Sequence, residues 1–524
     1  MVFRVIFLFL FTFPLFQCEN ILVLETVASP SHHIWIRTLT TALAEKGHNV
    51  TSLSTDIEDV TPKNLHYLHL DKVYDVFYDP TDQDFKEEFD FLSMGKVNIF
   101  MQLLDFFDFP LLTVKGCFRS TGFHQLMAYP DDFKFDLVIY DFMVGGVMLP
   151  FVQKFNYPPV VALTAFYSAS YAAPIVGGTL HPAFVPSIVS SDKPGGFLSR
   201  LENFLVTHLD YFLREFYVNP KLNKILKEKF PWAKDVRELN QLAKIVLLNK
   251  HAGMDVIEPA FSNIIPVGGM QIQRTKTLPK DLQDILDQAK NGVILFSLGT
   301  NVKSSMLGDA RITEILETFR ALPELTFLWK FESETLPVTV PSNVIIRSFV
   351  PQNDILAHPN VKLFITHGGL LSTQESVWHG VPMLGLPVFA DQFQNVKLSI
   401  EGGVAEEGDL INIERKSFKT LIQKLLNEPK YRENARIRSE AFRDQRETPL
   451  ERAVWWTEFV LRHPNMTFMR SPSLDQNFAV RHSWDVLAFF FTTILISMIV
   501  SLKLSCCVLR SCLKKNKSKK SKRE

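Results

Sequence analysis

Residues Phe349–Gln392 read FVPQNDILAHPNVKLFITHGGLLSTQESVWHGVPMLGLPVFADQ. Within them Val361–Thr366 is a short apolar run, followed by His367, Gly368 and Gly369, then by a helix-compatible segment that stops at Gly380 and Pro382. The pattern predicts strand, tight turn, helix and stop. Such a turn can hold an anion, because glycines let the backbone approach a ligand and the amides and positive dipole end of the new helix favour phosphate oxygens. His367 adds a donor there. Glu375 falls further along the same helix, where a carboxylate can accept hydrogen bonds from a pair of sugar hydroxyls. His-Gly-Gly alone is equally an ordinary end to a strand, so the reading rests on the whole stretch.

Taken whole, the stretch resembles the signature of the UDP-glycosyltransferases, membrane-bound enzymes that move a sugar from a UDP-sugar to small lipophilic acceptors. The resemblance assigns Phe349 to stacking on uracil, Gln352 to its edge, His367 with Gly368 and Gly369 to the diphosphate, and Glu375 to the ribose. Asp391 and Gln392 are assigned to the hydroxyls of the transferred sugar. It implies an α/β fold of two facing Rossmann-like domains, the GT-B arrangement, with acceptor on the first and UDP-sugar on the second. Two positions depart from the pattern of vertebrate members. Phe349 stands where those carry Trp, a smaller π face. Leu371 stands where those carry Asn, so one polar contact is missing on the face that bears Glu375. GGLLSTQES looks like the invertebrate form of the motif.

Towards the amino end, Ile21–Leu24 is an apolar strand, Val27–Ser31 a loop, and Ile34–Lys46 a helix ended by Gly47, with a second strand near Val50. That is a βαβ unit. His32 is expected in the turn at the carboxyl end of the first strand, where open α/β sheets place ligands. Asp141 stands at the end of the apolar run Phe135–Tyr140. In the family the catalytic His lies fifteen residues before the Gly that ends the first helix, and from Gly47 that count reaches His32. The catalytic Asp matches Asp141 in FDLVIYD. His33 is the alternative base.

Lys244–Leu248 reads as the last strand of the first half, and Gly268–Pro279 as a polar linker. The strand Gly292–Phe296 then leads into SLGT, where Ser297, Gly299 and Thr300 can bring amides to a pyrophosphate. Gly196–Tyr217 places apolar residues at helical spacing, which favours a core-facing helix. An acceptor lining or a membrane-touching face is the other reading.

The chain has 524 residues, 46% of them hydrophobic, and a formal net charge of zero. The charge is unevenly placed: Lys503–Glu524 carries nine Lys or Arg and one Glu. Nothing before that tail suggests nucleic acid. Of the five cysteines, Cys18, Cys506, Cys507 and Cys512 lie near the ends, leaving Cys117 alone in the body. An intrachain disulfide or Cys-rich metal site is excluded there by counting. No metal and no cofactor is expected, the UDP-sugar being a co-substrate.

Met1–Cys18 is placed like a signal peptide. The apolar run Val486–Leu502 is long enough to span a bilayer, and the Lys and Arg beyond it mark the cytosolic side. The expected organisation is a signal peptide over 1–18, an acceptor domain over 19–269 and a UDP-sugar domain over 270–448. A terminal helix and membrane-proximal segment follow over 449–483, then a transmembrane helix over 484–502 and a basic tail over 503–524. The body is then lumenal, in the endoplasmic reticulum membrane with type I topology, and the ending KSKRE looks like a retrieval signal. Asn465 and Asn49 head glycosylation sequons, Asn49 within a strand.

The resemblance implies an inverting transfer with His32 as general base, Asp141 fixing its tautomer, and a detoxifying role. Glucose is favoured as the sugar because LPVFADQFQN holds no cation for a glucuronate carboxylate, although Lys303 could supply one. Glucuronosyl transfer, glycosylation of membrane lipids and a catalytically silent lipophile or nucleotide-sugar binder stay open, as does homo-oligomerisation. Retention of both His32 and Asp141 speaks against the silent binder.

Overall fold

In the computed structural model, residues 18–82, 84, 99–167, 169–187, 195–333 and 335–520 are described. The expected signal peptide, apart from Cys18, and the last four residues of the retrieval sequence lie outside them. Two fully parallel sheets form the body. The first contains β1 (Asn20–Glu25), β2 (Asn49–Ser54), β3 (Leu65–His69), β4 (Leu137–Asp141), β5 (Val160–Thr164), β6 (Ala243–Leu248) and β7 (Ile264–Pro266), in the order β3-β2-β1-β4-β5-β6-β7. The second contains β8 (Val293–Ser297), β9 (Thr326–Lys330), β10 (Val344–Arg347), β11 (Val361–Thr366), β12 (Met383–Gly385) and β13 (Ala405–Glu407), in the order β10-β9-β8-β11-β12-β13. Both orders reverse once, between β1 and β4 and between β8 and β11, and open α/β sheets bind ligands beyond such points. The central strands are buried on both faces, which is why their sequences are continuous apolar runs rather than alternating ones.

The helices used below are α1 (Pro30–Glu45), α2 (Ile99–Arg119), α3 (Ala169–Val176), α4 (Phe197–Leu213), α5 (Leu370–His379), α6 (Gln392–Glu401), α7 (Pro449–Arg462) and α8 (Trp484–Lys520). A capping box opens α7: Thr448 Oγ1 accepts from the Glu451 amide at 3.1 Å, and Glu451 Oε2 accepts from the Thr448 amide at 2.8 Å. This helix crosses back to the first domain, where Ala453, Val454 and Val460 share a core with Trp35, Ile36 and Leu39 of α1.

Four expectations need correction. The first helix starts at Pro30, not Ile34, because proline at the first helical positions needs no amide partner; His32 therefore lies in the first turn of α1. The first sheet has a further strand after Leu248, β7, too short at three residues to show a period. The apolar face of α4 does not meet the core: Phe197, Leu198, Leu201, Phe204 and Leu205 are exposed, while Asn203, Val206 and His208 are buried. The carboxyl-terminal helix does not end at Leu502. It runs to Lys520, and its apolar part covers Trp484–Ser511, because the single Lys503 is followed by more apolar residues that continue the helix.

Candidate active site

A cleft of about 700 Å³ lies between the two sheets. His32, Ser297, Gly299, Thr300, Phe349, Gln352, His367, Gly369, Glu375, Asp391 and Gln392 all line it. Asp141 and Gly368 stand directly behind that lining. Asn49 and Asn465 are elsewhere: Asn465 is exposed, and the Asn49 amide donates to Asn20 Oδ1 at 3.0 Å beside β1.

On the first domain, His32 Nδ1 lies 2.5 Å from Asp141 Oδ2. A carboxylate oxygen only accepts, so the ring hydrogen belongs on Nδ1 and the lone pair is left on Nε2. Asp141 is itself held by the Met143 amide, which donates to Oδ1 at 3.0 Å. Phe166 meets the His32 ring edge-on, with centroids 5.3 Å apart. His33 turns away from this pair. Its Nδ1 is 2.9 Å from Glu25 Oε1 and its Nε2 3.2 Å from Glu58 Oε1, so both of its nitrogens face carboxylates.

On the second domain the imidazole of His367 is wedged between two glycines. A Cβ added at Gly299 would come within 2.4 Å of the ring, and one at Gly369 within 2.5 Å, so only glycine fits at either point. Burial, with the neighbouring Lys330 cation, pushes His367 down to about 4 and keeps it neutral. Lys330 closes β9, beside β8, and its Nζ donates to Gly299 O at 2.8 Å and to Glu332 at 3.0 Å. It is a cation on the cleft wall, whereas Lys303 is exposed and does not line the cleft.

Glu375 is partly buried on the cleft wall, and desolvation there pushes its carboxyl up to about 7 against the opposing hydrogen bond from Gln352. Asp391 is likewise pushed up to about 6 by burial, and Asn395 Nδ2 donates to it at 2.7 Å while also reaching Gly368 O at 3.0 Å. The Gln392 side-chain oxygen accepts from the Val388 and Phe389 amides at 2.8 and 3.2 Å, so its NH₂ is the end left for a ligand. Phe349 is 74% exposed on the cleft wall, open for a ring to stack. Leu371 packs against the core shared by α1 and α7 and also lines the cleft, to which it presents an apolar side chain.

Hydrogen bonds cross the cleft as well. Asn301 donates to Ser29 Oγ at 3.1 Å, and Tyr167 OH meets Gln394. Gln374 donates to Asn249 at 2.9 Å and, within its own domain, accepts from Gln271 at 2.9 Å. Phe166, Lys330, Asn301 and Asn395 carried no sequence signal of their own, although Asn395 falls within the LPVFADQFQN segment.

A family model described as UDP-glucoronosyl and UDP-glucosyl transferase matches residues 20–520. UDP-glycosyltransferase UGT5 of Dactylopius coccus is 31% identical over 491 residues, which cover 92% of this chain and 90% of that protein. UDP-glucuronosyltransferase 2B13 of Oryctolagus cuniculus is 28% identical, with 91% of each chain covered. Among solved structures, CalG4, the calicheamicin glycosyltransferase, superposes with a TM-score of 0.54 at 18% identity over 86% of this chain and 100% of that one. The two-sheet architecture is the GT-B fold that these glycosyltransferases share.

Proposed function

The chain belongs to the UDP-glucuronosyl and UDP-glucosyl transferase family and is a UDP-glycosyltransferase, and from that premise we propose that it transfers glucose from UDP-glucose, with inversion, to a hydroxyl of small lipophilic acceptors. The observation that carries the reading is the His32–Asp141 pair on one wall of the cleft, set against the His367 turn and Asp391–Gln392 on the other. An alcohol is a poor nucleophile until its proton is removed. His32 Nε2 takes that proton as the acceptor oxygen bonds to the anomeric carbon, and Asp141 stabilises the imidazolium that forms. The bond from that carbon to the diphosphate oxygen breaks, and UDP leaves with the electron pair. The start of α5, the neutral N–H of His367 and the Lys330 ammonium meet the charge that develops on the leaving group. Phe349, Gln352 and Glu375 hold the uridine, and Ser297, Gly299 and Thr300 line the diphosphate; the UDP-sugar is a co-substrate and no cofactor takes part.

Glucose is the sugar favoured by the charge at Asp391. Its carboxylate has an amide, Asn395, as its hydrogen-bonding partner, so a second carboxylate on the sugar would meet repulsion without a bonded cation there. Membrane anchoring through α8, with the body on the lumenal side of the endoplasmic reticulum, fits an apolar helix whose side chains are exposed throughout its span. Competition between UDP-glucose and UDP-glucuronate at equal concentration, with a phenolic acceptor, tests the donor. A higher kcat/KM for UDP-glucuronate overturns glucose as the natural sugar.

A further inference from the structure

A second cavity, of about 400 Å³, lies in the first domain behind the loop that follows β4. Pro110, Val144 and Arg214 line both this cavity and the cleft, so one layer of side chains separates the two spaces. Val144 is three residues beyond Asp141 in the chain. The opposite wall is formed by Phe478 and Arg481, from the segment that leads into α8.

Three features mark this cavity as more than a packing gap. Thr207 lines it, and the Thr207 hydroxyl is buried with no hydrogen-bonding partner among the described residues, an arrangement that costs free energy unless a ligand satisfies it. Its wall includes a single π-helical turn, Arg214–Val218, a helix defect found mostly at functional sites. It is also walled by Tyr211 and Phe212 of α4, whose rings pack against Phe478. The Phe204 and His208 rings are 4.0 Å apart, and His208 in turn stacks on Trp484, the first residue of α8, at 6.0 Å. The cavity thus lies between the cleft and the place where the apolar helix begins.

We propose that this second cavity is a binding site for the lipophilic acceptor, which it receives from the bilayer and holds before the acceptor passes the Val144 wall to His32. The inference rests on the acceptor class and membrane anchor proposed above. A cavity of this size accommodates a two-ring phenol. Apolar acceptors concentrate in lipid because each buried methylene favours transfer by about 0.8 kcal/mol, so a route from the lipid side is better supplied than the aqueous mouth of the cleft. Thr207 would meet the acceptor hydroxyl, and Leu180, Phe212 and Phe478 its rings.

The test uses the full chain in phosphatidylcholine vesicles, 1-azidonaphthalene as photolabel and 1-naphthol as acceptor. Adducts are expected on peptides carrying Thr207–Phe216 or Phe478–Arg481, and 1-naphthol should compete for them. Leu180→Trp, which fills the cavity, should remove those adducts and raise the KM for 1-naphthol relative to that for phenol by roughly tenfold, the loss of a good apolar contact. Thr207→Val keeps the shape and should raise the same ratio roughly threefold, the loss of one hydrogen bond; it decides the matter if the tryptophan variant fails to fold. Adducts confined to the cleft, or an unchanged KM ratio in the folded variants, overturn the proposal. Wild-type protein that is labelled in the cavity yet transfers no sugar to 1-naphthol would refute the acceptor class while leaving the cavity as a lipophile site.

Discussion

Gln352 Nε2 donates to Glu375 Oε2 at 2.7 Å, joining the side chain assigned to the uracil edge to the carboxylate assigned to the ribose. The proposed uridine site is therefore one connected unit, in which Oε1 of Glu375 is the oxygen outside this bond. The pair also sets a pH dependence. Burial holds Glu375 at about 7, above its unfolded value of 4.5, so the folded state loses stability as pH rises through that window and the group ionises. Glu375→Gln removes this component, and its melting temperature should exceed that of wild type above pH 7. Binding of UDP should respond the other way, tightening as Glu375 becomes an acceptor-only carboxylate. Calorimetric titration of UDP across the same window checks it; a slope that survives in the Gln variant assigns the effect elsewhere.

The adjacent histidines should separate cleanly. His32→Ala should lower turnover by about 10² to 10⁴ while leaving UDP affinity in place, since the nucleotide side of the cleft is on the other domain. His33→Ala should instead cost roughly 3 to 5 kcal/mol of stability, because it leaves the buried Glu25 without its partner. Burial opposes the charge on His33, but the hydrogen bond and charge of Glu25, with Asp56 and Glu58, outweigh it and raise its folded value above 6.5. The contribution of His33 protonation is lost as pH rises through its raised value, and burial, which lifts the Glu25 carboxyl above its ordinary range, limits the pair from the acid side; thermal melts of wild type and variant across that range would reveal both. Wild-type turnover in His32→Ala would remove it as the base.

Lys330→Met should weaken UDP binding about tenfold or more, as expected for loss of a charged hydrogen bond. It should also raise the His367 titration from about 4, since one of the two influences depressing it is gone. Lys330→Arg should retain most of the affinity. Calorimetry and the imidazole resonance of His367 give the two readouts, and unchanged affinity in the Met variant would confine Lys330 to bracing the Gly299 turn.

Full-length protein should resist carbonate extraction from membranes through α8. A chain ending before Trp484 should still sediment with membranes at neutral pH, held by the exposed apolar face of α4, and carbonate should release it. Leu201→Glu with Phe204→Glu in the truncated chain should make it soluble without carbonate. Full-length protein in the soluble fraction would refute the span.

What the amino-acid sequence determines by itself here is local. The apolar runs of β1, β4, β8 and β11, the glycines after His367 and the stop at Gly380, where φ is 67°, follow from short-range sterics and burial, and so can be read without the fold. The tertiary structure decides the rest. Successive residues on a helix point about 100° apart, so the start and register of α1 send His32 to Asp141 on β4 and His33 to Glu25 and Glu58 on the other side. Lys330 reaches the Gly299 turn because β9 lies beside β8, a neighbour relation set by sheet order rather than by any spacing in the chain. Periodicity shows that Leu201, Phe204 and Leu205 share a face of α4, but it carries no information on what that face meets; the rest of the fold leaves it outside the core.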